Sequence, residues 1–324
     1  MTRAARWLLW AGVLLFAAVL ASQGFSAVLS TLSSAGWGLV LVAAFHALPL
    51  LLDAAAMRVL FDAKESSAGL RGAVLVRWAG ESANSLLPAG QIGGPVLMAR
   101  LLARRGLNAS LAAAVMTVVT TLQTVAQIAF ALTGVALLAT HAAAADNHTL
   151  LSSAIVASGL LALQIGGFYW LQRRGLFSKA MRVANRFCGK RDWSGLITRA
   201  AAIDEAVQAV YGRSGRVAAS GLLNFAGWLV GTGEVYFILL LLGSPVSWLH
   251  ALVLESLGQA IRGAAFAVPG ALGVQEGGYL LLAPLAGLPP DIALALSLAK
   301  RSRELILGVP GLAYLHFTAR DAFV

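Results

Sequence analysis

Repeated long apolar runs, each about 20 residues, set the strongest limit on what this chain can fold into. As a helix, such a run crosses the ~30 Å hydrocarbon core of a bilayer. Over the whole chain 59% of the residues are hydrophobic and only 12% are charged, whereas roughly a quarter of the residues in a soluble domain are charged. The sequence therefore predicts an all-α, polytopic transmembrane bundle and excludes a soluble domain.

The apolar runs predict spans near residues 7–24, 36–60, 109–139, 150–171, 217–242, 248–268 and 291–315. Two further segments, 78–104 and 269–288, are apolar but contain Gly and Pro, which interrupt a straight helix. We expect both to form broken or re-entrant elements, within a total of seven or eight spans. The N-terminal run follows Arg3 and Arg6 as in a signal peptide, but we expect it to remain as an uncleaved span.

Charge placement predicts the domain organisation and the orientation. The chain has a net charge of +10, and ten basic residues against three acidic ones lie in 172–216. Because basic loops stay in the cytoplasm, this segment and the N-terminus are expected on the cytoplasmic side. We predict one membrane domain, 1–324, with repeat-like halves 1–171 and 217–324. The basic segment is either an interfacial helix on anionic headgroups or an ordinary cytoplasmic loop.

Cysteine and histidine usage gives no sign of a metal site. The chain has one cysteine, Cys188, so that an intrachain disulfide is excluded. The five histidines show no i, i+4 pair, and they are His46, His141, His148, His250 and His316. We expect no metal and no cofactor. Nucleic acid is not an expected partner either, because the basic charge accompanies a membrane domain without a binding motif.

The two interrupted segments resemble each other. In "LLPAGQIGGPVLMARLLARRG" Pro88 precedes Gly106 by eighteen positions, as Pro269 precedes Gly287 in "AVPGALGVQEGGYLLLAPLAG". A Glu-Ser pair stands before each, at 81–82 and 255–256. Paired broken elements mark the substrate site in many transporters, although helix-end turns that share Gly and Pro would look similar. The predicted break residues are Pro88, Gly93, Gly94, Pro269, Gly270, Gly273, Gly277 and Gly278.

Polar side chains inside apolar spans identify a candidate site. Glu255, Gln259 and Arg262 lie at i, i+4 and i+7 on one helix, and Arg301 and Glu304 share a stripe of the last span. Glu255–Arg301 or Arg262–Glu304 pairs are expected between these helices. The candidates for a lipid headgroup site are Glu81, Asn84, Gln91, Glu255, Gln259, Arg262, Gln275, Glu276, Arg301, Arg303 and Glu304.

Two interpretations of these polar residues remain open. Ionisable groups inside a membrane are costly and usually functional, and an arginine fork suits an anionic headgroup, with Arg301 as the first choice. The alternative is that the same groups only hold helices together. A polar stripe of the span 109–139 is predicted to line the same interior, and it comprises Thr117, Thr120 or Thr121, Thr124 and Gln127. Two other spans also have polar stripes, which comprise His46 and Asp53, and Asn224, Gly227, Gly231 and Glu234.

The motif "ESANSLLPAGQIGGPVLMARLLARRG" and the region from "FAVPGALGVQEGGYLLL" to "LAKRSRELILGVPGL" resemble the two signature regions of a flippase-like membrane family. That family includes the membrane region of lysylphosphatidylglycerol synthases, and the sequence is most similar to its hopanoid-biosynthesis-associated branch. The resemblance implies a location in the bacterial inner membrane and a role in moving or handling lipids. It does not extend to a soluble aminoacyl-transferase domain, and so aminoacylation is not expected.

Three functions are compatible with the sequence. The first is a lipid transporter that moves a hopanoid, a modified phospholipid or a lipid-linked sugar between leaflets. It would work without ATP hydrolysis by this chain, because no G-x-x-x-x-G-K-[ST] motif occurs. The alternatives are a membrane transferase with Glu81 or Glu276 as general base, and a non-catalytic scaffold for lipid-synthesis enzymes. We expect a non-enzyme whose partners are membrane lipids and, in the scaffold case, those enzymes.

Overall fold

The computed structural model describes residues 36–320 apart from 67, 88–89, 141–147, 188–193, 266–267 and 269–270. Throughout this part the chain is helical and contains no strand, so the all-α prediction is confirmed. The predicted span 7–24 lies outside the described residues, as do the predicted break residues Pro88, Pro269 and Gly270.

The helices follow one another with short connections. In chain order they are α1 (Gly38–Phe45), α2 (Ala47–Arg58), α3 (Leu70–Leu86), α4 (Gly90–Arg104), α5 (Ala109–Thr140), α6 (His148–Arg173), α7 (Leu176–Phe187), α8 (Ser194–Gly212), α9 (Ser214–Leu241), α10 (Trp248–Ala264), α11 (Val274–Leu282) and α12 (Pro290–Arg320). A short 3-10 helix, Ala283–Ala286, follows α11.

Three helical segments of the described chain are long and apolar enough to cross a membrane: Gly38–Arg58, Ala109–Leu138 and Ser214–Leu241. They coincide with the predicted spans 36–60, 109–139 and 217–242. The first of them is interrupted at His46, which separates α1 from α2. Pro49 explains the interruption, because it has no N–H to donate to the carbonyl of Phe45. The total of seven or eight spans stays a prediction.

The segment 78–104 is divided into two helices. Leu87 ends α3 with an extended backbone, and α4 begins at Gly90. The Asn84 side chain accepts a hydrogen bond of 2.9 Å from the backbone N–H of Gly94 and so ties the two helices together. A Cβ on Gly94 would lie within 2.6 Å of the Asn84 amide, and only glycine permits this approach.

The predicted break residues are therefore corrected in part. Gly93 and Gly94 lie inside α4, and Gly277 and Gly278 lie inside α11, so these four glycines do not break a helix. Close packing explains two of them, since Gly94 faces Asn84 and Gly278 faces Ile261. Gly273 precedes α11 with a φ of 77°, a left-handed backbone that favours glycine.

Two apolar clusters hold the bundle together. One joins α9, α10, α11 and α12, with Leu254 and Leu296 among its buried residues. The other joins α2, α3, α4 and α5, with Phe61 and Leu102 at its centre. Large apolar side chains also cover the outside, such as Leu163 and Leu222, as expected of a surface that faces lipid.

The two predicted halves share an order of elements. The helices α3 and α10 both have 17 residues. Each precedes an interruption, a short helix and a glycine with positive φ, Gly106 or Gly287. The long helices α5 and α12 follow, with 32 and 31 residues. Each long helix packs against the 17-residue helix of the other half, α3 on α12 and α10 on α5.

The basic segment 172–216 folds mainly into two helices, α7 and α8, which pack against each other. The Asp204 carboxylate of α8 accepts hydrogen bonds from the backbone N–H groups of Phe177 and Ser178 at the start of α7. Helix α7 is strongly amphipathic, as expected of an interfacial helix. Its position on a membrane surface stays a prediction.

Candidate functional site

A polar cavity of about 250 Å³ lies between the two apolar clusters. Its wall comes from α2, α3, α4, α5, α9, α10 and α12, together with the segment before α11. Among the described residues, five acidic and four basic side chains line it, a high density of ionisable groups for the interior of an apolar bundle. They are Asp53, Glu81, Glu234, Glu255, Glu304, Arg77, Arg262, Lys300 and Arg303, with His46 beside them.

The most deeply buried pair joins α10 to α12. Lys300 Nζ lies 2.5 Å from Glu255 Oε2, and the two side chains are only 3% and 5% exposed. Glu255 also accepts hydrogen bonds from Tyr279, at 3.1 Å, and from Gln259, at 2.8 Å. Since an unpaired buried carboxylate is costly, these three donors explain how Glu255 is accommodated.

A second pair on the same two helices confirms one predicted contact. Arg262 Nη1 lies 2.7 Å from Glu304 Oε1, and the same nitrogen donates to Gln275 at 3.0 Å. Arg303 Nη2 lies 3.5 Å from the same oxygen, Glu304 Oε1. The predicted Arg262–Glu304 pair is therefore confirmed, whereas the carboxylate of Glu255 pairs with Lys300 rather than with Arg301.

The third group of charges connects the two halves. The His46 ring lies between two carboxylates, with Nε2 2.9 Å from Glu81 and Nδ1 2.9 Å from Glu234. Arg303 Nη1 donates to Glu234 at 3.0 Å. These contacts bring the α1–α2 junction, α3, α9 and α12 together at one wall of the cavity.

The wall nearest α5 carries neutral polar groups. Thr120, Thr124 and Gln127 line the cavity there, and Gln127 donates to the backbone carbonyl of Gln259 at 2.8 Å. Trp228 adds an aromatic face, which stacks on Phe130 with ring centroids 6.0 Å apart. Thr120, Thr124 and Gln127 of the predicted polar face of α5 are thus part of the cavity, whereas Thr117 and Thr121 are not among its described lining residues.

The structure brings most of the predicted site residues to this cavity. Those that line it are Glu81, Asn84, Glu255, Gln259, Arg262, Arg303 and Glu304. Gln275, Glu276 and Arg301 are not part of the lining but support it. Glu276 caps α11 by accepting from the backbone N–H of Gly273, and its other oxygen accepts from Arg301 at 3.0 Å. Of Gln91 the structure describes the helical backbone and not the side chain.

Arg301 and Arg262 were both predicted to face the interior near Glu255 or Glu304. This is confirmed, since Arg301 lies 3.5 Å from Glu304 and Arg262 lies 2.7 Å from it. Arg301, the first choice for an anionic headgroup, nevertheless lies behind the lining, whereas Arg262 and Arg303 are exposed to the cavity.

Sequence reasoning missed several residues of the site, among them Arg77, Lys300 and Trp228. Arg77 is not among the predicted candidates, but its guanidinium donates hydrogen bonds to Asp53 at 2.7 Å and to Gln123 at 3.1 Å inside the cavity. Lys300 and Trp228 were not candidates at all. Lys300 could have been identified from the sequence, because an ionisable residue inside an apolar helix usually has a function. It lies next to the predicted stripe through Arg301 and Glu304.

A metal site is not apparent in the described part of the chain, where no three His, Cys, Asp or Glu side chains form a group able to hold an ion. What the site offers instead is paired charge, amide and hydroxyl groups, and one aromatic face. Groups of this kind can bind a polar or charged molecule by exchanging partners within the ion pairs.

An apolar helical bundle around a charged cavity defines a multi-pass membrane protein. Comparison with known proteins gives the family: the profile of the lysylphosphatidylglycerol synthase TM region matches residues 8–311. The chain belongs to this family, which places it among membrane proteins involved in lipid biology. No curated protein and no solved structure matches the chain.

Proposed function

We propose that this chain moves an amphiphilic lipid between the leaflets of the bacterial inner membrane, without hydrolysing ATP and without acting as an enzyme. The observation that carries the proposal is the cavity of about 250 Å³, charged and lined by both halves of an apolar bundle. Family membership supports a lipid as the substrate. The substrates that we propose are a hopanoid, a modified phospholipid or a lipid-linked sugar.

The size of the cavity suits a headgroup rather than a whole lipid. Pockets for drug-sized ligands have volumes of about 300–1,000 Å³, and this cavity lies just below that range. In the proposed cycle the headgroup crosses through the polar interior while the tails stay in the bilayer. The interior removes most of the cost of taking polar groups through hydrocarbon, because side chains replace their hydration.

The architecture that goes with this function is a repeat with two re-entrant elements. We propose that the breaks after α3 and after α10 are equivalent and face each other across the cavity. Two observations support this proposal. The halves share an order of elements, and the long helix of each half packs against the 17-residue helix of the other. The cytoplasmic N-terminus and the seven or eight spans belong to the same proposal.

Arg262 is the residue that we propose for headgroup contact, in place of Arg301. It lines the cavity and its guanidinium pairs with Glu304, so that an anionic group can take the place of one partner in a bidentate contact. Arg301 is held by Glu276 at 3.0 Å outside the lining. Both arginines carry the same charge, so the headgroup contact is assigned to Arg262 because of its position in the cavity lining.

The test is movement of NBD-labelled phosphatidylglycerol in liposomes, followed by dithionite reduction of the label in the outer leaflet. We expect Arg262→Gln to remain folded but to lose movement, and Arg262→Lys to recover only part of it, since an ammonium lacks the bidentate fork. Arg100→Gln, an exposed change on α4, is the matched control and should behave like the wild type. Normal movement by a thermally stable Arg262→Gln protein would contradict the assignment.

Arg301→Gln serves as the comparison variant. If this variant loses movement while Arg262→Gln retains it, the headgroup contact returns to Arg301. If neither variant changes the rate, the arginines only hold helices together. Lipids that copurify with the wild-type protein, identified by mass spectrometry, would show which headgroup the cavity takes.

A further inference from the structure

Helix α7 divides its described side chains between an apolar and a polar arc. With about 100° between successive residues, the apolar arc covers about 160° of the helix surface and the polar arc about 120°. The apolar arc contains Leu176, Phe177, Ala180, Met181 and Val183, and the polar arc contains Ser178, Lys179, Arg182 and Asn185. Lys179 borders the apolar arc, about 40° from Val183, whereas Arg182 lies about 100° from Val183. Such a division is typical of a helix at a membrane interface.

Protein covers only one edge of this apolar arc. Phe177 packs against the apolar cluster of α2 to α5, and Met181 beside it is partly buried. At the opposite edge Ala180 is exposed, and Val183 is 56% exposed. Lys179, next to this open edge, is exposed as well. The uncovered surface of α7 therefore combines apolar groups with a cation.

The end of α6 indicates the depth of α7 in the membrane. Helix α6 ends at Arg173 and α7 begins at Leu176, so α7 follows directly after the predicted span 150–171. Trp170 is 52% exposed, and the guanidinium carbon of Arg174 lies 4.3 Å from its ring centroid. Tryptophan and basic residues at the end of a membrane helix are typical of the headgroup layer. The first turn of α7 is therefore expected at the depth of the headgroups.

Contacts with α5 and α8 hold this junction in place. The buried Gln172 side chain donates to Thr121 of α5 at 2.8 Å and accepts from the hydroxyl of Tyr211 of α8 at 2.8 Å. Asp204 of α8 accepts from two backbone N–H groups in the first turn of α7, at 3.0 and 2.8 Å. The connecting residue, Gly175, has a φ of 78°, a left-handed backbone that favours glycine. Protein contacts thus set the direction in which α7 leaves α6.

The segment around α7 carries charge of one sign. Between residues 147 and 191 the sequence has seven basic residues and no acidic one. Asp204, the acidic residue that contacts α7, is 9% exposed and already accepts the two N–H groups of its first turn. An open edge with cations and apolar groups side by side matches a leaflet that contains anionic phospholipids, because its headgroups are negative and its acyl chains are apolar.

We propose that α7 lies in the headgroup layer of the cytoplasmic leaflet and binds anionic phospholipids there. Ala180 and Val183 face the acyl chains, while Lys179 and Arg174 contact the anionic headgroups. Arg182 lies farther round the helix and points towards water. This site is separate from the charged cavity, and it stands whether or not the cavity carries lipid between leaflets.

The first experiment locates α7 relative to the bilayer. The only cysteine of the sequence is removed by Cys188→Ser, and Val183→Cys is labelled with bimane in liposomes of phosphatidylcholine and phosphatidylglycerol. We expect strong quenching of this label by lipids with a nitroxide just below the headgroup, and weak quenching by iodide in the buffer. Asn185→Cys, an exposed position in the polar arc, is the matched control and should show the reverse. A label at 183 that iodide quenches as strongly as a label at 185 would overturn the proposal and leave this face for an acidic protein.

The second experiment measures the preference for anionic lipid at the label on residue 183. At equal content in phosphatidylcholine liposomes, nitroxide-labelled phosphatidylglycerol should quench the bimane several-fold more than nitroxide-labelled phosphatidylcholine. Lys179→Gln and Arg174→Gln should each reduce this ratio, and the double variant should abolish the preference. Arg182→Gln removes the same charge from the same helix and is the control that should keep it.

The outcomes separate this site from general attraction and from the cavity. Equal losses for Lys179→Gln and Arg182→Gln, or equal quenching by the two lipids in the wild type, would overturn the anionic-lipid site. Arg262→Gln, a change in the cavity lining, should leave the quenching ratio at residue 183 unchanged. If that variant moves no lipid and keeps the ratio, the two sites are independent, as proposed. A ratio that falls with Arg262→Gln would refer the preference to the cavity and overturn the assignment to α7.

Discussion

Replacing Lys300 by Met should destabilise the protein markedly, because its partner Glu255 is only 5% exposed. Glu255 would keep the hydrogen bonds from Tyr279 and Gln259, at 3.1 and 2.8 Å, but would lose its ion-pair partner, the Lys300 ammonium at 2.5 Å. Removing one member of a buried ion pair costs roughly 3–5 kcal/mol. The two remaining donors place the expected loss at the lower end, about 3 kcal/mol.

Thermal unfolding of the purified protein in detergent measures this loss. For a chain of this size 1 kcal/mol corresponds to roughly 2 °C, so Lys300→Met should lower the Tm by about 6 °C. The double variant Lys300→Met/Glu255→Gln should recover most of that loss, since no charge is then buried without a partner. Lys64→Met, an exposed lysine between α2 and α3, is the control. A double variant whose loss equals the sum of the single losses would refute the reasoning.

Two further predictions concern packing and pH. Gly311→Ala should destabilise the bundle by about 1–3 kcal/mol, because its Cβ would lie 2.0 Å from Ser82 Oγ. Gly221→Ala is the control and should not destabilise it, because nothing lies within 4 Å of the added Cβ. An equal Tm for the two variants would contradict this prediction. Outside the spans, the hydrogen bond from Arg213 lowers the pKa of Glu65 below its usual 4.5. The contribution of this hydrogen bond to stability is thus present above pH 4.5 and disappears as the pH falls through the lowered pKa. The Tm of Arg213→Gln should therefore lie below that of the wild type at pH 7 and converge with it in acid.

Helix positions followed closely from hydropathy. The predicted spans 109–139 and 217–242 agree with α5 and α9 to within three residues at each end, because a long apolar run in a membrane chain has no alternative to a helix. Breaks were harder to locate. Glycine pairs suggested interruptions at 93–94 and 277–278, yet both pairs are helical. Glycine permits a break but equally permits close packing, and only the neighbouring helix decides between the two.

The face that α12 presents to the cavity could not be derived from its sequence. Lys300, Arg301, Arg303 and Glu304 are nearly consecutive, and successive residues of a helix differ by about 100° in direction. The four side chains therefore spread over an arc of about 160° of the helix surface, and more than one polar stripe is compatible with this sequence. The stripe through Arg301 was chosen, whereas the cavity is lined by Lys300, Arg303 and Glu304. Which side is correct depends on α3 and α10, and no periodicity within α12 contains that information.

Dependence on neighbouring helices also explains why the sequence shows the two Glu-Ser pairs but not their role. Ser82 packs against Gly311 of α12, and Ser256 packs against Gly134 of α5, where an added Cβ would lie 2.0 and 1.9 Å from the serine oxygens. In each case the glycine belongs to the long helix of the other half. This close approach brings the neighbouring glutamate, Glu81 or Glu255, to the cavity wall, since a larger residue at either glycine would hold the helices apart. The charged cavity is therefore a product of contact between the halves, and neither half contains it alone.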